Sequence, residues 1–378
     1  MQMEEIKKSR EFEEIKANGY EMCETLGGGG QGKVYKALKD GKEYAVKLLY
    51  DSDSSEFINE KDCLNDLEES DYVIKLEDYC YHDSKKLKYG YLVFPVYKET
   101  LADKMEQLKK KNPGIEEIEK EVIKIGKDLC SGLLDCHTKK IVHLDVKPEN
   151  VFCDENNDEK DYAGRTDKYV IADFGIAGIL DQYNIVKGCS MTYAAPEYKK
   201  AFSKSKSSEE IAAKNIEIQL KATMDIFSVG AILYEILLQK KLPEEWWTDI
   251  TFKADYGKEL CSIIKKCIDR DPQKRYKDIE ELKGKLIKYE RKSNYCGNSE
   301  DETIILGGTK KQSSENQLEE NVGGRKNAPD FKVVSKTFDK VCQTVSKVVK
   351  VSKKEEKQQK CMDIERYTEV EVVNNDEL

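Results

Sequence analysis

The sequence predicts an α+β fold. A glycine-rich run at residues 26–34 is flanked by apolar β-forming residues and followed by a strand-like segment at 44–47. Residues 53–67 then carry apolar side chains at helical intervals. The chain of 378 residues is long enough for two lobes and a further C-terminal region.

The glycine-rich run has the spacing of a phosphate-binding loop. Glycines stand at 27, 29 and 32, and Val34 follows, which matches G-x-G-x-x-G-x-V. Glycine is required where the backbone approaches phosphates closely and adopts φ values that a β-carbon forbids. Such a run is also typical of a flexible surface turn. The strand-like segment that comes directly after it favours the phosphate-binding interpretation.

Lys47 ends that strand-like segment and is a candidate phosphate ligand. A lone lysine in a strand is usually a solvated edge residue, so its position after the loop carries the argument. The helix predicted at 53–67 offers two carboxylates one turn apart on the same face, Glu56 and Glu60. Either could pair with the lysine.

The most specific stretch lies at residues 143–150, which read His-Leu-Asp-Val-Lys-Pro-Glu-Asn, with Asp-Phe-Gly following at 173–175. It resembles the catalytic loop of the protein kinase superfamily, H-R-D-L-x-x-x-N, with its downstream D-F-G. Small-molecule phosphotransferases, such as antibiotic kinases, use a similar arrangement. The later motifs therefore decide between the two classes.

Those later motifs resemble protein kinases. Ala-Pro-Glu stands at 195–197, and Asp-Ile-Phe-Ser-Val-Gly at 225–230 resembles D-x-W-S-x-G with Phe in place of Trp. Arg275 is the residue that the family pairs with Glu197, and small-molecule kinases lack this pair. The resemblance covers about residues 20–290. It implies a bilobal fold with a β-rich N-lobe containing one main helix and a mainly helical C-lobe.

The resemblance also implies catalytic roles in a transfer of phosphate from Mg-ATP to a protein. Asp145 would accept or orient the proton of the attacking hydroxyl, and Lys147 would neutralise charge on the phosphoryl group. Asn150 and Asp173 would supply oxygens to Mg²⁺, a hard cation that prefers such ligands. Lys147 within Lys-Pro-Glu-Asn resembles serine/threonine kinases.

The resemblance also implies which carboxylate pairs with Lys47. Glu60 stands where the family has its ion-pairing glutamate, and Leu64 four residues on matches the family's packing pattern. Glu56 stays the rival.

By the same resemblance, ATP would lie between the glycine-rich run and the segment at 91–97. Phe94 would close the back of the adenine pocket, Pro95 would offer its carbonyl as an acceptor, and the Tyr97 N–H would donate. A plain core strand that ends at a proline would have the same local structure. The full set of expected nucleotide contacts is Leu26, Gly27, Gly29, Gly32, Val34, Ala45, Lys47, Phe94, Pro95 and Tyr97.

Leu144 departs from the family pattern and predicts how the enzyme is controlled. In kinases with Arg at this position, the Arg pairs with a phosphate on the activation segment, here residues 173–197. Leucine cannot form that pair, so the chain resembles the non-RD subtype. Between Ile176 and Cys189 the only hydroxyl side chain is Tyr183, and Val186 stands near the usual phosphorylation position. We therefore expect activity without activation-segment phosphorylation.

Five regions are predicted along the chain: an N-terminal extension (1–19), the N-lobe with the hinge (20–97), the C-lobe (98–290), a flexible linker (291–330) and a basic amphipathic helix with an acidic tail (331–378). Two insertions depart from the family layout. Residues 154–168 predict a polar hairpin. Residues 199–222 predict a solvated loop with a short packing helix, and a docking role is the alternative.

Apolar residues in the C-terminal region alternate in steps of three and four, and residues 331–360 contain nine lysines against three acidic residues. Three interpretations stay open: a helix that packs on its own domain or a second copy, a basic helix on anionic lipid, and a partly disordered tail. The apolar residues are Phe331, Val334, Phe338, Val341, Val345 and Val348.

Composition narrows the remaining alternatives. A net charge of -9 argues against general nucleic-acid binding. Twelve cysteines without C-x-x-C pairs and only three histidines predict reduced thiols in a cytoplasmic protein. No apolar run approaches the roughly 20 residues of a membrane span. The rival functions are an ATP-binding scaffold of the pseudokinase type and a small-molecule phosphotransferase.

Overall fold

The computed structural model describes residues 15–29, 32–50, 54–83, 88–154, 167–186, 188, 190–206, 217–244, 246 and 250–297. This part of the chain is α+β, with a β-rich N-terminal lobe and a mainly helical C-terminal lobe, which confirms the predicted fold class. Residues 1–14 of the predicted extension, most of the predicted linker and the predicted helix at 331–378 lie outside the described residues.

The N-terminal lobe is an antiparallel sheet with one main helix. The strand order is β1-β2-β3-β5-β4. The helix, α1 (Ser54–Asp66), follows the third strand in the chain. The strands are β1 (Glu21–Gly29), β2 (Gly32–Lys39), β3 (Lys42–Tyr50), β4 (Asp78–Asp83) and β5 (Lys88–Pro95).

The two faces of this sheet have different environments because side chains alternate along a strand. Val46 and Leu48 of β3 pack with Tyr91 and Val93 of β5 in a small cluster on the outer face. The opposite face, which carries Lys47, therefore points toward α1 and the cleft. The period-two pattern of β3 is thus what places one lysine inside the molecule.

The C-terminal lobe is built around a helix that is buried on all sides. In α5 every residue from Met224 to Leu237 is buried, as expected of a helix that is apolar around its whole circumference. Helices α3 and α6 pack against it. The helices of this lobe are α2 (Leu101–Lys111), α3 (Ile115–Thr138), α4 (Pro196–Lys206), α5 (Ala222–Leu238), α6 (Lys258–Cys267) and α7 (Ile279–Gly297).

Helix α2 begins at a capping box directly after the hinge. Thr100 accepts a hydrogen bond from the Asp103 N–H, and the Asp103 carboxylate accepts one from the Thr100 N–H. At its other end, Asn112 adopts a left-handed conformation and its N–H bonds the Leu108 carbonyl. These local signals fix where the chain enters the helical lobe.

Three small antiparallel sheets connect the helices and hold the loops of the cleft. Their strand orders are β6-β8-β9, β10-β7 and β11-β12. Strands β8 and β9 flank residues 155–166, the loop of the predicted hairpin, which lie outside the described residues. The strands are β6 (Glu99–Thr100), β7 (Ile141–Val142), β8 (Val151–Asp154), β9 (Lys168–Ile171), β10 (Gly178–Ile179), β11 (Tyr183–Ile185) and β12 (Glu217–Gln219).

The insertion at 199–222 corrects one prediction. The sequence predicts a short packing helix that carries Ile211, Ile216, Ile218 and Leu220. Residues 207–216 lie outside the described part of the chain. Residues 217–219 form β12, which pairs with β11, so the prediction is wrong there. The physical reason is the period: Ile216, Ile218 and Leu220 recur every two residues, which is the spacing of a strand. Helix α7 also continues to Gly297, past residue 290 where the sequence predicts a linker.

In the part of the chain that the structure describes, no helix combines the length and the apolar character that crossing a bilayer requires.

The contact between α5 and α6 predicts how the core responds to one added methyl group. A β-carbon at Gly230 would overlap Cys267 and would lie 2.7 Å from Cγ2 of Ile268. We therefore expect Gly230→Ala to lower the free energy of unfolding by about 1–3 kcal/mol. In α7, a β-carbon at Gly284 would meet nothing within 4 Å, so Gly284→Ala should raise it by about 0.5–1 kcal/mol. Urea denaturation of both variants measures this, and equal effects would contradict the packing described.

Candidate active site

Lys47 is the centre of an ion network that joins three separate elements. Its Nζ lies 2.9 and 2.8 Å from the two carboxylate oxygens of Glu60 on α1, and 2.8 Å from Oδ1 of Asp173. Glu60, rather than its rival Glu56, is therefore the residue that Lys47 contacts. The strand, the helix and the loop after β9 meet at one ammonium group.

Because the network is buried, the pKa values of its groups depend strongly on the neighbouring charges. Desolvation alone would lower the pKa of Lys47, but the carboxylates of Glu60 and Asp173 outweigh it and raise the pKa above its usual value. Burial would likewise raise the pKa of Asp173, yet Lys47 holds it below its usual range. Both groups are consequently charged at neutral pH.

A second cluster is formed within the catalytic-loop motif. The Nζ of Lys147 lies 2.6 Å from Oδ2 of Asp145, and Nδ2 of Asn150 donates to the same oxygen at 2.9 Å and to the Asp145 carbonyl at 3.0 Å. Asp145 is buried, so these two donors fix the direction of its carboxylate. Because the Asn150 amide nitrogen donates to Asp145, its amide oxygen points away from Asp145 and is left to bind another group.

The loop that carries this cluster is anchored by Asp225 at the start of α5. Its carboxylate accepts hydrogen bonds from the backbone N–H groups of His143 (3.0 Å) and Leu144 (2.9 Å), and from Nε2 of His137 (2.9 Å). Burial opposes ionisation of Asp225, but His137 and the loop amides hold its pKa below the usual range. The anchor is needed because Leu144 adopts a left-handed φ of 70°, which is strained for a leucine.

Between the lobes lies a cavity of about 450 Å³ next to Lys47. Of the residues predicted to contact a nucleotide or a metal, those that line it are Leu26, Gly27, Val34, Ala45, Lys47, Phe94, Pro95, Tyr97, Asn150 and Asp173, together with Glu60. A site of this volume with apolar walls and a few polar groups is typical of small-ligand binding.

The other two predicted glycines lie at the tip of the β1–β2 hairpin. Gly29 pairs with Gly32 across the hairpin. Gly32 has a φ of 139°, and a β-carbon there would lie 2.6 Å from the Leu48 carbonyl oxygen. Only glycine therefore fits at this turn, which brings the hairpin backbone close to β3.

The donor set fits a magnesium ion better than a transition metal. Among the described residues, no three His, Cys, Asp or Glu side chains come together as a metal cluster would require. The two residues predicted as metal ligands, Asp173 with its carboxylate and Asn150 with its amide, both line the cavity. Magnesium is usually held by such sparse oxygen ligands, with water and ligand phosphates completing its coordination.

A second ion pair supports the lobe below the cleft. The Arg275 guanidinium binds the Glu197 carboxylate in a bidentate way, with Nη1–Oε1 and Nη2–Oε2 both at 2.8 Å. It also donates to the carbonyls of Asp269 and Thr223 and lies 5.0 Å from the ring centre of Phe227. The guanidinium is fully buried and its hydrogen-bonding capacity is used, which ties α4 to α5 and to the turn before α7.

A family model described as "Protein kinase domain" matches residues 20–287, well over half of the chain. The chain belongs to the protein kinase domain family. In this kinase domain, the two clusters at the cleft and the Arg275–Glu197 pair occupy the positions that the family motifs predict.

Curated relatives are mostly much longer proteins. The chain is 28% identical to the LRR receptor kinase SERK2 of Oryza sativa over 71% of its own length and 42% of the relative's. It is 30% identical to the carbon catabolite-derepressing protein kinase of Saccharomyces cerevisiae, over 59% and 31% respectively. With the serine/threonine-protein kinase BRI1-like 2 of Arabidopsis thaliana the identity is 27%, over 59% and 18%. The chain spans less than half the length of each of these relatives.

Asn59 and Phe152 are among the residues of the kinase domain's site that the sequence analysis did not predict. Asn59 on α1 donates through Nδ2 to the carbonyls of Phe174 and Ala177, both at 3.0 Å, and so ties the helix to the backbone after Asp173. No motif marks it. Phe152 lines the cavity and lies 5.5 Å from the Tyr97 ring, centre to centre. Its position two residues after Asn150, in β8, was a signal that could have found it.

The buried Arg275–Glu197 pair predicts a large stability effect. Arg275→Ala leaves the Glu197 carboxylate without its partner in a largely buried position, so the free energy of unfolding should fall by about 3–5 kcal/mol. Arg275→Lys keeps the charge but loses the bidentate geometry, so it should lower the free energy of unfolding by an intermediate amount. The exposed pair Lys292–Glu259 is the control, because Lys292→Ala should cost less than about 1 kcal/mol. Chemical denaturation of the three variants measures this, and a loss from Arg275→Ala no larger than the control's would contradict it.

Proposed function

We propose that this kinase domain is an active protein serine/threonine kinase that transfers the γ-phosphate of ATP to hydroxyl groups of proteins. The observation that carries the proposal is that two clusters meet beside one cavity. Lys47, Glu60 and Asp173 line it as one ion network. Asn150 also lines it and donates to the Asp145 carboxylate, which Lys147 contacts from outside the lining. Each charged group has a partner that fixes it. Preorganised charge of this kind is the main source of catalysis in phosphoryl transfer.

The residues of the N-terminal lobe would bind and orient ATP. Val34, Ala45 and Phe94 present apolar surface for the adenine ring, and Lys47 presents its charge to the phosphates. The pairing of Ala45 with Phe94 across β3 and β5 places these groups side by side. Pro95 lacks an N–H but keeps its carbonyl as an acceptor, so the loss does not prevent adenine recognition.

Asn150 and Asp173 are the residues that would hold Mg²⁺, which supplies charge neutralisation between the phosphates when it is bound. The Lys47 contact keeps the Asp173 carboxylate ionised and fixed in position before any ligand arrives. The Asn150 amide is oriented by its bonds to Asp145. These two residues are thus positioned by the protein itself.

Asp145 would receive the proton of the attacking hydroxyl. Lys147 contacts the same carboxylate and would balance negative charge as the phosphoryl group moves. The motif Lys-Pro-Glu-Asn at 147–150, similar to serine/threonine kinases, favours Ser and Thr over Tyr as acceptors. A scaffold of the pseudokinase type is the rival, and the complete set of phosphate and metal residues argues against it.

The proposal includes activity without a phosphate on the activation segment. Val186, near the usual phosphorylation position, is buried in the main core, where a phosphate could not be placed without desolvating its charge. Leu144 is buried in the same core and offers no partner to such a phosphate. Self-association or membrane binding through 331–360 stays a prediction, since those residues lie outside the described part of the chain.

The role of Asp145 is tested by an isosteric substitution. Asp145→Asn removes the proton acceptor but keeps the shape of the loop, so transfer of labelled phosphate to a generic protein substrate should fall by about 10²–10⁴-fold. The Kd for Mg-ATP should stay near that of the wild type, because the nucleotide contacts are unchanged. Asp62→Asn, on the exposed side of α1, is the matched control and should change neither quantity. Full activity of Asp145→Asn would contradict the assignment.

Independence from phosphorylation is tested on the unaltered chain. After phosphatase treatment, with intact mass showing that no phosphate remains, the kinase should keep its initial rate to within about threefold. The control is the same protein treated with heat-inactivated phosphatase. A loss of activity that returns together with a phosphate on Tyr183, Ser190 or Thr192 would show that the switch exists after all.

A further inference from the structure

In this kinase domain, residues 178–186 of the activation segment contain β10, β11 and the turn between them, although position 144 offers no arginine to a phosphate. Leu144 cannot pair with a phosphate, and Tyr183 is the one hydroxyl side chain between residues 176 and 189. The Tyr183 side chain is 68% exposed and points away from the core. Residues 178–180 are held by β7 and the Lys140 carbonyl next to it. Some other contact must hold residues 181–186 in place.

That contact comes from the insertion that precedes α5. Strand β11 pairs in antiparallel fashion with β12, with Tyr183 opposite Gln219 and Ile185 opposite Glu217. The pairing continues past the strand ends, because the Leu220 N–H donates to the Gln182 carbonyl at 2.9 Å. The activation segment thus gains a backbone partner from a part of the chain outside the family motifs.

Asp181 shows how completely the insertion holds the turn before β11. Its N–H donates to the Leu220 carbonyl at 2.9 Å, its own carbonyl accepts from Nε2 of Gln219 at 3.1 Å, and its carboxylate lies 2.8 Å from Nζ of Lys221. Asp181 also has a φ of 63°, which a non-glycine residue adopts only when its surroundings impose it. All three polar groups of this residue are used by residues 219–221.

Leu220 adds an apolar contact to these polar ones. It is fully buried, and it lies so close to Gly178 in β10 that a β-carbon at Gly178 would overlap its side chain. The ion pair of Lys221 with Asp181 is exposed and contributes little by itself. The backbone pairing and the burial of Leu220 are therefore the main contributions.

The same few residues connect the activation segment to the catalytic loop. Lys221 is the N-cap of α5, and Asp225 in the first turn of that helix accepts the N–H groups of His143 and Leu144. A segment held by residues 217–221 is consequently held against the same helix that anchors the catalytic loop. A displacement of residues 217–221 would therefore also shift the backbone that carries Asp145.

We propose that residues 217–221 position the activation segment, and so supply the order that a phosphate–arginine pair supplies in kinases of the other subtype. The inference rests on the proposed kinase function in so far as it concerns catalysis. These are positioning residues, since none of them lines the cavity next to Lys47.

The test is a proline in β12. Because the Leu220 N–H faces β11, the alternation of the ladder turns the Ile218 N–H toward β11 as well. Ile218→Pro removes that donor. Ile218→Val, which keeps the donor and the branched side chain, is the matched variant. Hydrogen–deuterium exchange of residues 178–186, the Kd for Mg-ATP, and kcat/KM for a protein substrate are measured on the full chain.

We expect Ile218→Pro to raise exchange in residues 178–186 by roughly tenfold or more and to lower kcat/KM by a similar factor. The Kd for Mg-ATP and the melting temperature should stay near those of the wild type, and Ile218→Val should match the wild type throughout. Unchanged exchange in Ile218→Pro would overturn the proposal, and so would full activity despite lost protection.

Two further outcomes are decided in the same experiment. If Ile218→Pro does not fold, Leu220→Ala replaces it, because it removes the buried side chain that packs on Gly178. Unchanged exchange at residues 181–183 in that variant would overturn the proposal, where roughly threefold faster exchange would support it. If the wild type phosphorylates no protein, the proposed function fails, but the exchange data still show whether residues 217–221 order the segment.

Discussion

The catalytic loop depends on the buried carboxylate of Asp225. Residues 143 and 144 turn sharply there, with Leu144 in a left-handed conformation that a leucine avoids unless it is held. Asp225 holds it by accepting two consecutive backbone N–H groups and a histidine nitrogen. Because the carboxylate sits in the first turn of α5, a helix that is buried from Met224 to Leu237 holds the backbone of the loop that carries Asp145. The hydrogen bonds that the buried Asp225 carboxylate accepts thus offset the backbone strain at Leu144.

The site also requires that β3 and α1 of the N-terminal lobe and the loop after β9 lie in one relative position. Lys47 contacts a helix and a loop at distances of 2.8–2.9 Å, and such contacts exist only in one relative arrangement of the three elements. Asn59 reinforces this arrangement by binding backbone carbonyls on both sides of the glycine that follows Phe174. Charged groups inside a protein gain most when their partners are already in place. The site is therefore a property of packing as much as of the motif residues.

Motif spacing predicted the fold class, and it named most of the residues that line the cleft, because these residues are tied to loops whose backbone demands specific side chains. Helical periodicity placed both Glu56 and Glu60 on one face of α1, but the choice between them depends on how Phe57 and Leu64 rotate that helix against the sheet. Strand β12 was not predicted because Ile216, Ile218 and Leu220, which recur at intervals of two, also fit a helical pattern when Ile211 is included. Asn59 could not be predicted, since its partners are main-chain atoms more than a hundred residues away.

The pairing of β11 with β12 has a consequence for how the amount of active enzyme is set. A strand that belongs to the same chain is present at a fixed effective concentration. Its pairing does not depend on an upstream kinase that adds a phosphate or on a phosphatase that removes one. On the proposed function, an activation segment held in this way would need no phosphorylation by an upstream kinase. The rate of phosphorylation in the cell would then follow synthesis and degradation of the polypeptide, together with access of its substrates to the cleft.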